Sequence, residues 1–274
     1  MPTLKLCWLR ILIGLIIPFS LFVSCNPNGL DIDEIDESGV VTVFAASSLT
    51  EAFSSIGESF MSEYNGVEVI FNFAGTATLN AQLEQGAKAD VFASASPKQM
   101  QRAVDTGLVV GDNIVFASNS LVLIISKDHA NISRLEDLDK EGVKLVIAHA
   151  GVPVGDYFMQ SLADMNSSGA FGPEFFDRVI ANVVSEETNV RQVVAKVAMG
   201  EADAGIVYKT DVTEHIKQEV HMVEIPYDYL PEINYPVSKV SMSTNVYGGN
   251  TFISYILSKE GQQILKSHGF EGID

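Results

Sequence analysis

Short apolar runs alternate along the chain with stretches in which apolar residues recur at helical spacing. Val40–Ala45 is nearly all apolar, which is typical of a strand covered on both faces of a sheet. The apolar residues that follow recur every three or four positions up to Tyr64, and Asn65-Gly66 predicts the end of that helix. Further strands are predicted at several places, among them Ser118–Ile125 and Val179–Val184. The alternation of strands and helices predicts an α/β fold.

Four predicted strand-to-helix junctions share small, neutral or hydroxyl residues just before or at the helix start. They are centred on Ser48, Thr76, Val154 and Val190, and the segment from Ser48 to Glu51 also predicts a capping box with Ser48 as N-cap. A helix start presents unpaired backbone N–H groups and a partial positive charge. Such junctions gather outside the carboxyl ends of the strands in an open α/β sheet. If the four converge, they predict an anion site that needs no lysine or arginine.

The first residues of the chain differ from the rest. Lys5 and Arg10 precede an apolar run that ends at Ser24 and Cys25, which predicts a secretory signal over residues 1–24 rather than a transmembrane helix. The residues before Cys25 resemble a lipoprotein signal, which predicts lipidation of its thiol; the alternative is cleavage near Ser24 without lipidation. Residues 25–39 are polar and acidic and predict a solvated tether. We therefore expect an extracytoplasmic protein, either lipid-anchored to the cell membrane or periplasmic.

The composition argues against several classes of function. The net charge of −18 over 274 residues predicts no binding of nucleic acid through its phosphates. Cys7 lies within the predicted signal, so the exported chain would keep only Cys25 and no disulfide is expected. The histidines lack HxxH or HExxH spacing, so no metal site is predicted. The remaining length is sufficient for two lobes, each with its own core.

Several short segments between Val40 and Phe270 carry a family resemblance. They read VFAASSLT at 43–50, FAGTATL at 73–79, QLEQGAKADVFASA at 82–95, VPVG at 152–155, NVR at 189–191, GIVY at 205–208 and YPV at 235–237. Together and in this order they resemble the periplasmic molybdate-binding proteins of ABC transporters. The resemblance implies a type II periplasmic-binding-protein fold of two lobes, each a mixed sheet flanked by helices. It implies lobe 1 at residues 40–118 and 232–274, and lobe 2 at residues 119–231.

The same resemblance implies five contacts to an oxyanion in the cleft between the lobes. Ser48, Thr76 and Tyr208 would donate from their hydroxyls, and Val154 and Val190 from their backbone N–H groups. A fully deprotonated tetrahedral oxyanion offers only acceptors and therefore suits a site of donors. A phosphate site would need a carboxylate to accept the proton of the ligand, and none of the five residues is acidic.

The resemblance therefore implies a solute-binding component of an ABC importer. We expect it to bind molybdate or tungstate without another cofactor, to act as a monomer that is not an enzyme, and to deliver its ligand to a permease and its ATPase. A binding protein for sulfate or phosphate is one alternative. A second is a secreted hydrolase with Ser48 as nucleophile, although the chain has no G-x-S-x-G elbow around this serine. A third is a sensory or interaction domain that shares the fold but hands its ligand to a receptor.

Overall fold

The computed structural model describes residues 39–128 and 132–273. The predicted signal peptide at 1–24, the lipidation site Cys25 and the tether as far as residue 38 lie outside the described residues. Within the described ranges, no helix has both the length and the apolar character needed to cross a bilayer.

Strands and helices alternate along most of the chain, as the apolar pattern predicts. The strands are β1 (Gly39–Ala46), β2 (Val67–Ala74), β3 (Val91–Ala93), β4 (Val109–Asn119), β5 (Leu121–Ser126), β6 (Leu145–Ala148), β7 (Val183–Glu187), β8 (Ala204–Tyr208), β9 (Val220–Glu224), β10 (Ile233–Val240) and β11 (Glu271–Gly272). The α-helices are α1 (Thr50–Glu63), α2 (Thr76–Glu84), α3 (Pro97–Asp105), α4 (Pro153–Ser168), α5 (Phe175–Ala181), α6 (Val190–Ala198), α7 (Val246–Leu257) and α8 (Lys259–Ser267). Short 3-10 turns occur at Ser47–Leu49, Leu135–Asp139, Lys209–Asp211, Ile216–Gln218 and Tyr227–Tyr229.

The strands form two mixed sheets. The first has the order β11-β4-β10-β3-β1-β2, with β1 parallel to β2 and β3, and β10 antiparallel to β3 and β4. The second has the order β7-β6-β8-β5-β9, with β6 parallel to β7 and β8, and β5 antiparallel to β8 and β9. We call the parts built on them the first and the second lobe. The predicted α/β fold of two mixed sheets flanked by helices is confirmed.

Continuous apolar runs form the inner strands. Every residue of β5 and β6 is buried, and the second half of β1 is buried as well. In the first lobe, rings from α1 and α7 pack edge-to-face, with the centroids of Phe53 and Phe60 at 6.2 and 5.2 Å from that of Phe252. Truncation of such a buried ring to alanine costs about 3–5 kcal/mol. These cores hold the strand ends, and therefore the loops that follow them, in place.

Two predicted strands are wrong in extent. The predicted strand Ser118–Ile125 is divided at Ser120 between β4 and β5, which belong to different sheets. The predicted strand Val179–Val184 begins as the last turn of α5, where Val179 is buried, and only its end belongs to β7. An apolar run does not show which sheet or helix will bury it, so both errors follow from reading a run as one element.

The chain passes from one sheet to the other twice. It leaves the first sheet between β4 and β5, and it returns between β9 and β10. Because β4 and β10 pair, with Asn119 opposite Ile233, the two connections lie side by side. The lobe boundaries at residues 118/119 and 231/232 stay predictions.

Candidate functional site

A small cavity lies between the two lobes, and its volume is about 10 Å³. It is enclosed by the loops and helix starts that follow β1, β2, β3, β6, β7 and β8, and its lining consists of Ala46, Ser47, Ser48, Gly75, Thr76, Ala95, Val152, Pro153, Val154, Val190 and Tyr208. The structure therefore brings all five residues predicted as ligand contacts to one place. At this degree of closure the space suits about one water-sized group, so a larger ion requires the lobes to part slightly.

Ser48 lies in the 3-10 turn between β1 and α1. The predicted capping box is wrong: Leu49 is the N-cap of α1, and no side chain caps this helix. The Oγ of Ser48 lies 3.1 Å from the phenol oxygen of Tyr235 in β10. The hydroxyl of Ser48 is thus buried at the cavity and is not used to cap α1.

Two of the helix starts at the cavity have N-cap residues without an acceptor side chain. The N-cap of α2 is Gly75 and that of α4 is Val152, whereas Asn189 caps α6 by accepting from Gln192 N at 3.2 Å. Asparagine, aspartate, serine and threonine are the usual N-caps because their oxygens satisfy the first N–H groups of a helix. The first turns of α2 and α4 therefore keep donors and partial positive charge that an anion can use.

Thr76, the first residue of α2, is oriented as a donor. Its Oγ1 accepts a hydrogen bond from Ala95 N at 3.3 Å, and the side chain is buried. Because a backbone N–H can only donate, the hydroxyl oxygen is the acceptor in this bond and the hydroxyl hydrogen remains for another partner.

Tyr208, the last residue of β8, carries the clearest sign of a missing ligand. Its side chain is 2% exposed, and its hydroxyl has no hydrogen-bond partner among the described residues. Burial, followed by the proximity of Tyr235, raises the pKa of Tyr208 well above its usual value, so the phenol keeps its proton at physiological pH. A buried donor without a partner costs about 1–3 kcal/mol, which makes an orphan of this kind unusual without a function.

A buried carboxyl group lies directly behind Tyr208. Asp211 Oδ2 accepts from Tyr208 N at 3.2 Å, and burial raises the pKa of Asp211 to about 7, although this hydrogen bond and the charge of Arg191 oppose the rise. The carboxyl is therefore only partly ionised at neutral pH. Two other acidic residues near the site in sequence are engaged elsewhere: Asp156 accepts from Gly151 N at 2.8 Å, and Glu187 pairs with Lys196.

Polar contacts join the lobes on either side of the cavity. Arg191, the second residue of α6, binds both carboxylate oxygens of Glu51 from α1, at 2.6 and 2.8 Å. Lys98 of α3 binds Asp156 of α4 at 2.8 Å. Both pairs are partly exposed, so each stabilises the closed arrangement by about 0–1 kcal/mol. The charge of Arg191, the basic residue that the junctions contain, is thus directed at Glu51.

Sequence reasoning missed three residues next to the predicted contacts. Tyr235 entered the sequence analysis only as part of the YPV segment and not as a residue of the site, but it is fully buried in β10 and contacts Ser48. Asn119 and Asp211 were not singled out, although both are buried polar residues near the cavity lining. A tyrosine within the run INYPVSKV is a signal of burial, whereas its contact with Ser48 depends on residues far apart in the chain.

The geometry does not support Ser48 as an activated nucleophile. Its hydrogen-bond partner is Tyr235, and His268, which lines a neighbouring cavity that also includes Ser48, bonds Ser55 Oγ through Nε2 at 3.0 Å. A serine nucleophile needs a base within hydrogen-bonding reach. Among the described residues, moreover, no three His, Cys, Asp or Glu side chains are grouped closely enough to hold a metal ion.

Residues 41–271 match the family model of bacterial extracellular solute-binding proteins. The molybdate-binding protein ModA of Mycobacterium tuberculosis is 34% identical over 232 residues, which is 84% of each chain.

Two solved structures share the fold. The substrate-binding domain of a putative molybdenum ABC transporter from Clostridium difficile is 31% identical with a TM-score of 0.63, over 86% of this chain and 99% of that one. The sulfate-binding protein SubI from Mycobacterium tuberculosis has a TM-score of 0.76 at 19% identity, over 86% and 87% of the two chains, and shows the fold alone.

Proposed function

The chain belongs to the family of bacterial extracellular solute-binding proteins, and from this premise we propose that it binds molybdate or tungstate for an ABC importer. The relatives named for molybdate or molybdenum, each more than 30% identical to this chain, support the choice of ligand. The lining of the cavity between the lobes supports it independently, since it presents hydrogen-bond donors and no acidic side chain.

One observation supports an anionic ligand above all others. The buried hydroxyl of Tyr208 has no partner in the described part of the chain, and it lies at a cavity that is also lined by two helix starts without side-chain caps, those of α2 and α4. A hydroxyl can donate a hydrogen bond to any acceptor, but backbone N–H groups and a helix dipole favour an acceptor with negative charge. We propose that the ligand oxygens accept from the hydroxyls of Ser48, Thr76 and Tyr208 and from the backbone N–H groups of Val154 and Val190.

The net charge of −18 does not oppose this site. At physiological ionic strength the Debye length is about 8 Å, so charges spread over the surface are largely screened at a cavity between the lobes. The local dipoles act at hydrogen-bonding distance and dominate there.

The donor set of the cavity favours a bare tetrahedral anion, because its lining combines the hydroxyls of Ser48, Thr76 and Tyr208 with helix starts. A hydrogen-bearing anion, such as hydrogen phosphate, would direct its own donor at a protein donor and lose a hydrogen bond. Sulfate carries the same acceptors as molybdate, so the donors can distinguish the two only by their different size.

We further propose that the protein acts outside the cytoplasm as the ligand-binding partner of a permease and its ATPase, without catalysing a reaction of the anion. The membership of the extracellular solute-binding family supports this location. The sequence before residue 39 supports export and a lipid anchor on Cys25. Mass spectrometry of the protein from membranes would test the anchor, because lipidation adds the mass of the acyl groups to a chain that begins at Cys25.

Thermal unfolding with molybdate, tungstate, sulfate or phosphate tests the proposed ligand. At a thousandfold excess over Kd, a ligand adds about 4 kcal/mol to the free energy of unfolding, which for a domain of this size raises Tm by about 8–16 °C. We expect this shift with molybdate and tungstate, a smaller shift in Ser48→Ala, and a full shift in the control Ser55→Ala, whose hydroxyl bonds His268 away from the cavity. No shift with any oxyanion would refute the function, and a shift with sulfate or phosphate alone would refute the ligand.

A further inference from the structure

A chain of hydrogen bonds, buried except at its far end, leads from the cavity to the connection between the lobes. The Oγ of Ser48 lies 3.1 Å from Tyr235 OH, which lies 3.3 Å from Asn119 Nδ2, which in turn lies 2.8 Å from Thr210 Oγ1. Ser48, Tyr235 and Asn119 are 5%, 0% and 8% exposed, so water does not replace these contacts. The chain starts at a proposed ligand contact and ends two residues after Tyr208, another of the proposed contacts.

Asn119 fixes which atoms of this chain donate. Its Oδ1 accepts from the backbone N–H of Ser120 at 2.9 Å, and a backbone N–H can only donate. The atom that faces Ser120 is therefore the amide oxygen, and the amide nitrogen faces the two hydroxyls. The two hydrogens of this nitrogen are donated to Thr210 Oγ1 and to Tyr235 OH.

The donor role of Asn119 also determines which hydrogen is available between Tyr235 and Ser48. Tyr235 accepts from Asn119, so its single phenol hydrogen is available to Ser48 Oγ, its other hydrogen-bond partner. Burial, and then the charge of Asp211, raises the pKa of Tyr235, so this hydrogen is present throughout the physiological pH range. With Tyr235 as the donor to Ser48 Oγ, the hydroxyl hydrogen of Ser48 is free to point into the cavity, as the hydroxyl hydrogen of Thr76 is because Thr76 Oγ1 accepts from Ala95 N.

We propose that Asn119, through Tyr235, is a specificity-determining residue that holds Ser48 as an obligate donor to the bound anion. The inference rests on the proposed function. A ligand oxygen without a hydrogen accepts from Ser48, whereas a ligand oxygen that bears a hydrogen meets a second donor. Asn119 does not touch the ligand and acts by positioning two hydrogens.

Asn119→Asp should reverse the donor–acceptor direction of this hydrogen-bond chain, with little change in the shape of the side chain. The carboxylate keeps the acceptor for Ser120 N but presents a second acceptor to Tyr235, which then donates to residue 119. Ser48 donates to Tyr235 in turn and presents a lone pair to the cavity. We expect the Kd for molybdate, measured by isothermal titration calorimetry, to rise about 10- to 100-fold, the loss that accompanies a hydrogen bond to a charged group.

The added negative charge of Asn119→Asp is a second cause of weaker anion binding, and Tyr235→Phe separates the two. Phenylalanine removes the hydroxyl that connects residue 119 to Ser48, so only the charge effect remains in that background. We expect Asn119→Asp to raise the Kd at least about tenfold more with tyrosine at position 235 than with phenylalanine. The ratio of the Kd for molybdate to that for hydrogen phosphate should also rise in Asn119→Asp.

Asn119→Ala serves the same cycle if Asn119→Asp does not fold, since it removes the direction without a charge. Its loss of affinity should then be smaller in the Tyr235→Phe background. Equal factors in both backgrounds would overturn the inference and leave the proposed function intact. Failure of the unaltered protein to bind any tetrahedral oxyanion would overturn both.

Discussion

Replacement of Tyr208 by phenylalanine is expected to change stability and affinity in opposite directions. The hydroxyl of Tyr208 is buried without a partner among the described residues, and its removal leaves a ring of nearly the same shape in the same place. In the unliganded protein the change removes a desolvated donor, whereas in the complex it removes a hydrogen bond to the anion. If the tyrosine had a purely structural role, the same replacement would lower the free energy of unfolding, because its hydroxyl would already have a hydrogen-bond partner.

The expected change in stability follows from the unliganded protein, and the expected change in affinity follows from the complex. An unpaired buried hydroxyl costs about 1–3 kcal/mol, so the free energy of unfolding of the unliganded variant should stay the same or rise by up to that amount. Loss of a hydrogen bond to a charged acceptor costs about 1.5–3 kcal/mol, which corresponds to a Kd about 10- to 150-fold higher. The Tm difference between liganded and unliganded protein should shrink for both reasons.

Urea titration without ligand and calorimetric titration with molybdate measure the two effects separately. Tyr229→Phe is the matched control, since its hydroxyl donates to Ser168 Oγ at 3.3 Å in the second lobe, away from the cavity. That variant should bind with unchanged affinity. A Tyr208→Phe protein that is less stable than the parent and binds molybdate with the same Kd would refute the assignment of this hydroxyl to the ligand.

Three further predictions concern closure and pH. Glu51→Gln and Arg191→Gln should each weaken ligand binding, because the ion pair between these residues joins the lobes. The coupling energy between the two residues should be about 0.2–1 kcal/mol and should fall at high salt. If Glu51→Gln instead tightens binding, Arg191 acts directly on the anion. Gly75→Ala should fold normally, since φ of Gly75 is −59°, a value that alanine also adopts. It should bind the ligand weakly, because the added Cβ would lie 2.4 Å from the carbonyl oxygen of Thr188 in the other lobe and prevent full closure. Unchanged affinity in calorimetry would show that the lobes do not close this far. Burial raises the folded-state pKa of Asp211 to about 7 from an ordinary value of 3.8, so its contribution to stability is fully present below about pH 4 and is lost as the pH rises through 7. In urea titrations, the free energy of unfolding of the parent protein relative to that of Asp211→Asn should therefore fall over this range. A difference between the two proteins that stays constant or grows would contradict the raised pKa.

The sequence was sufficient for the class of fold and for the kind of site. Apolar runs such as those of β5 and β6 predicted buried strands because both faces of such strands are covered. The junctions centred on Thr76, Val154 and Val190 were predicted as helix starts, and α2, α4 and α6 begin at Thr76, Pro153 and Val190. The apolar spacing alone placed the starts of α2 and α4 three and four residues later, at Leu79 and Tyr157. What local patterns could not supply was convergence, which depends on the order of strands in two sheets.

The errors have a common physical origin in long-range pairing. Glu51 fits the capping-box pattern three residues after Ser48, but in the fold it binds Arg191, 140 positions away. Ser48 fits the N-cap position, but its hydroxyl contacts Tyr235, 187 positions away. A local cap contributes about 0.5–2 kcal/mol, so a well-formed tertiary hydrogen bond to the same atom is able to replace it. Sequence patterns of one turn are therefore least reliable where a side chain also faces a functional cavity.

The neutrality of the candidate site explains how an acidic protein can hold an anion with selectivity. A lysine or arginine in the cavity would attract every anion, whether or not it bears hydrogens, because Coulomb attraction depends on charge and distance alone. Here the guanidinium of Arg191, which follows Val190 in α6, is bound to Glu51, and the donors at the cavity are hydroxyls and backbone N–H groups. Thr76 accepts a hydrogen bond from Ala95 N, and by the inference above Ser48 accepts one from Tyr235, so the hydrogen of each hydroxyl is free to be donated to the ligand. Discrimination between anions of equal charge then depends on where their hydrogens are and on how far the lobes close, and both quantities are set by the fold rather than by net charge.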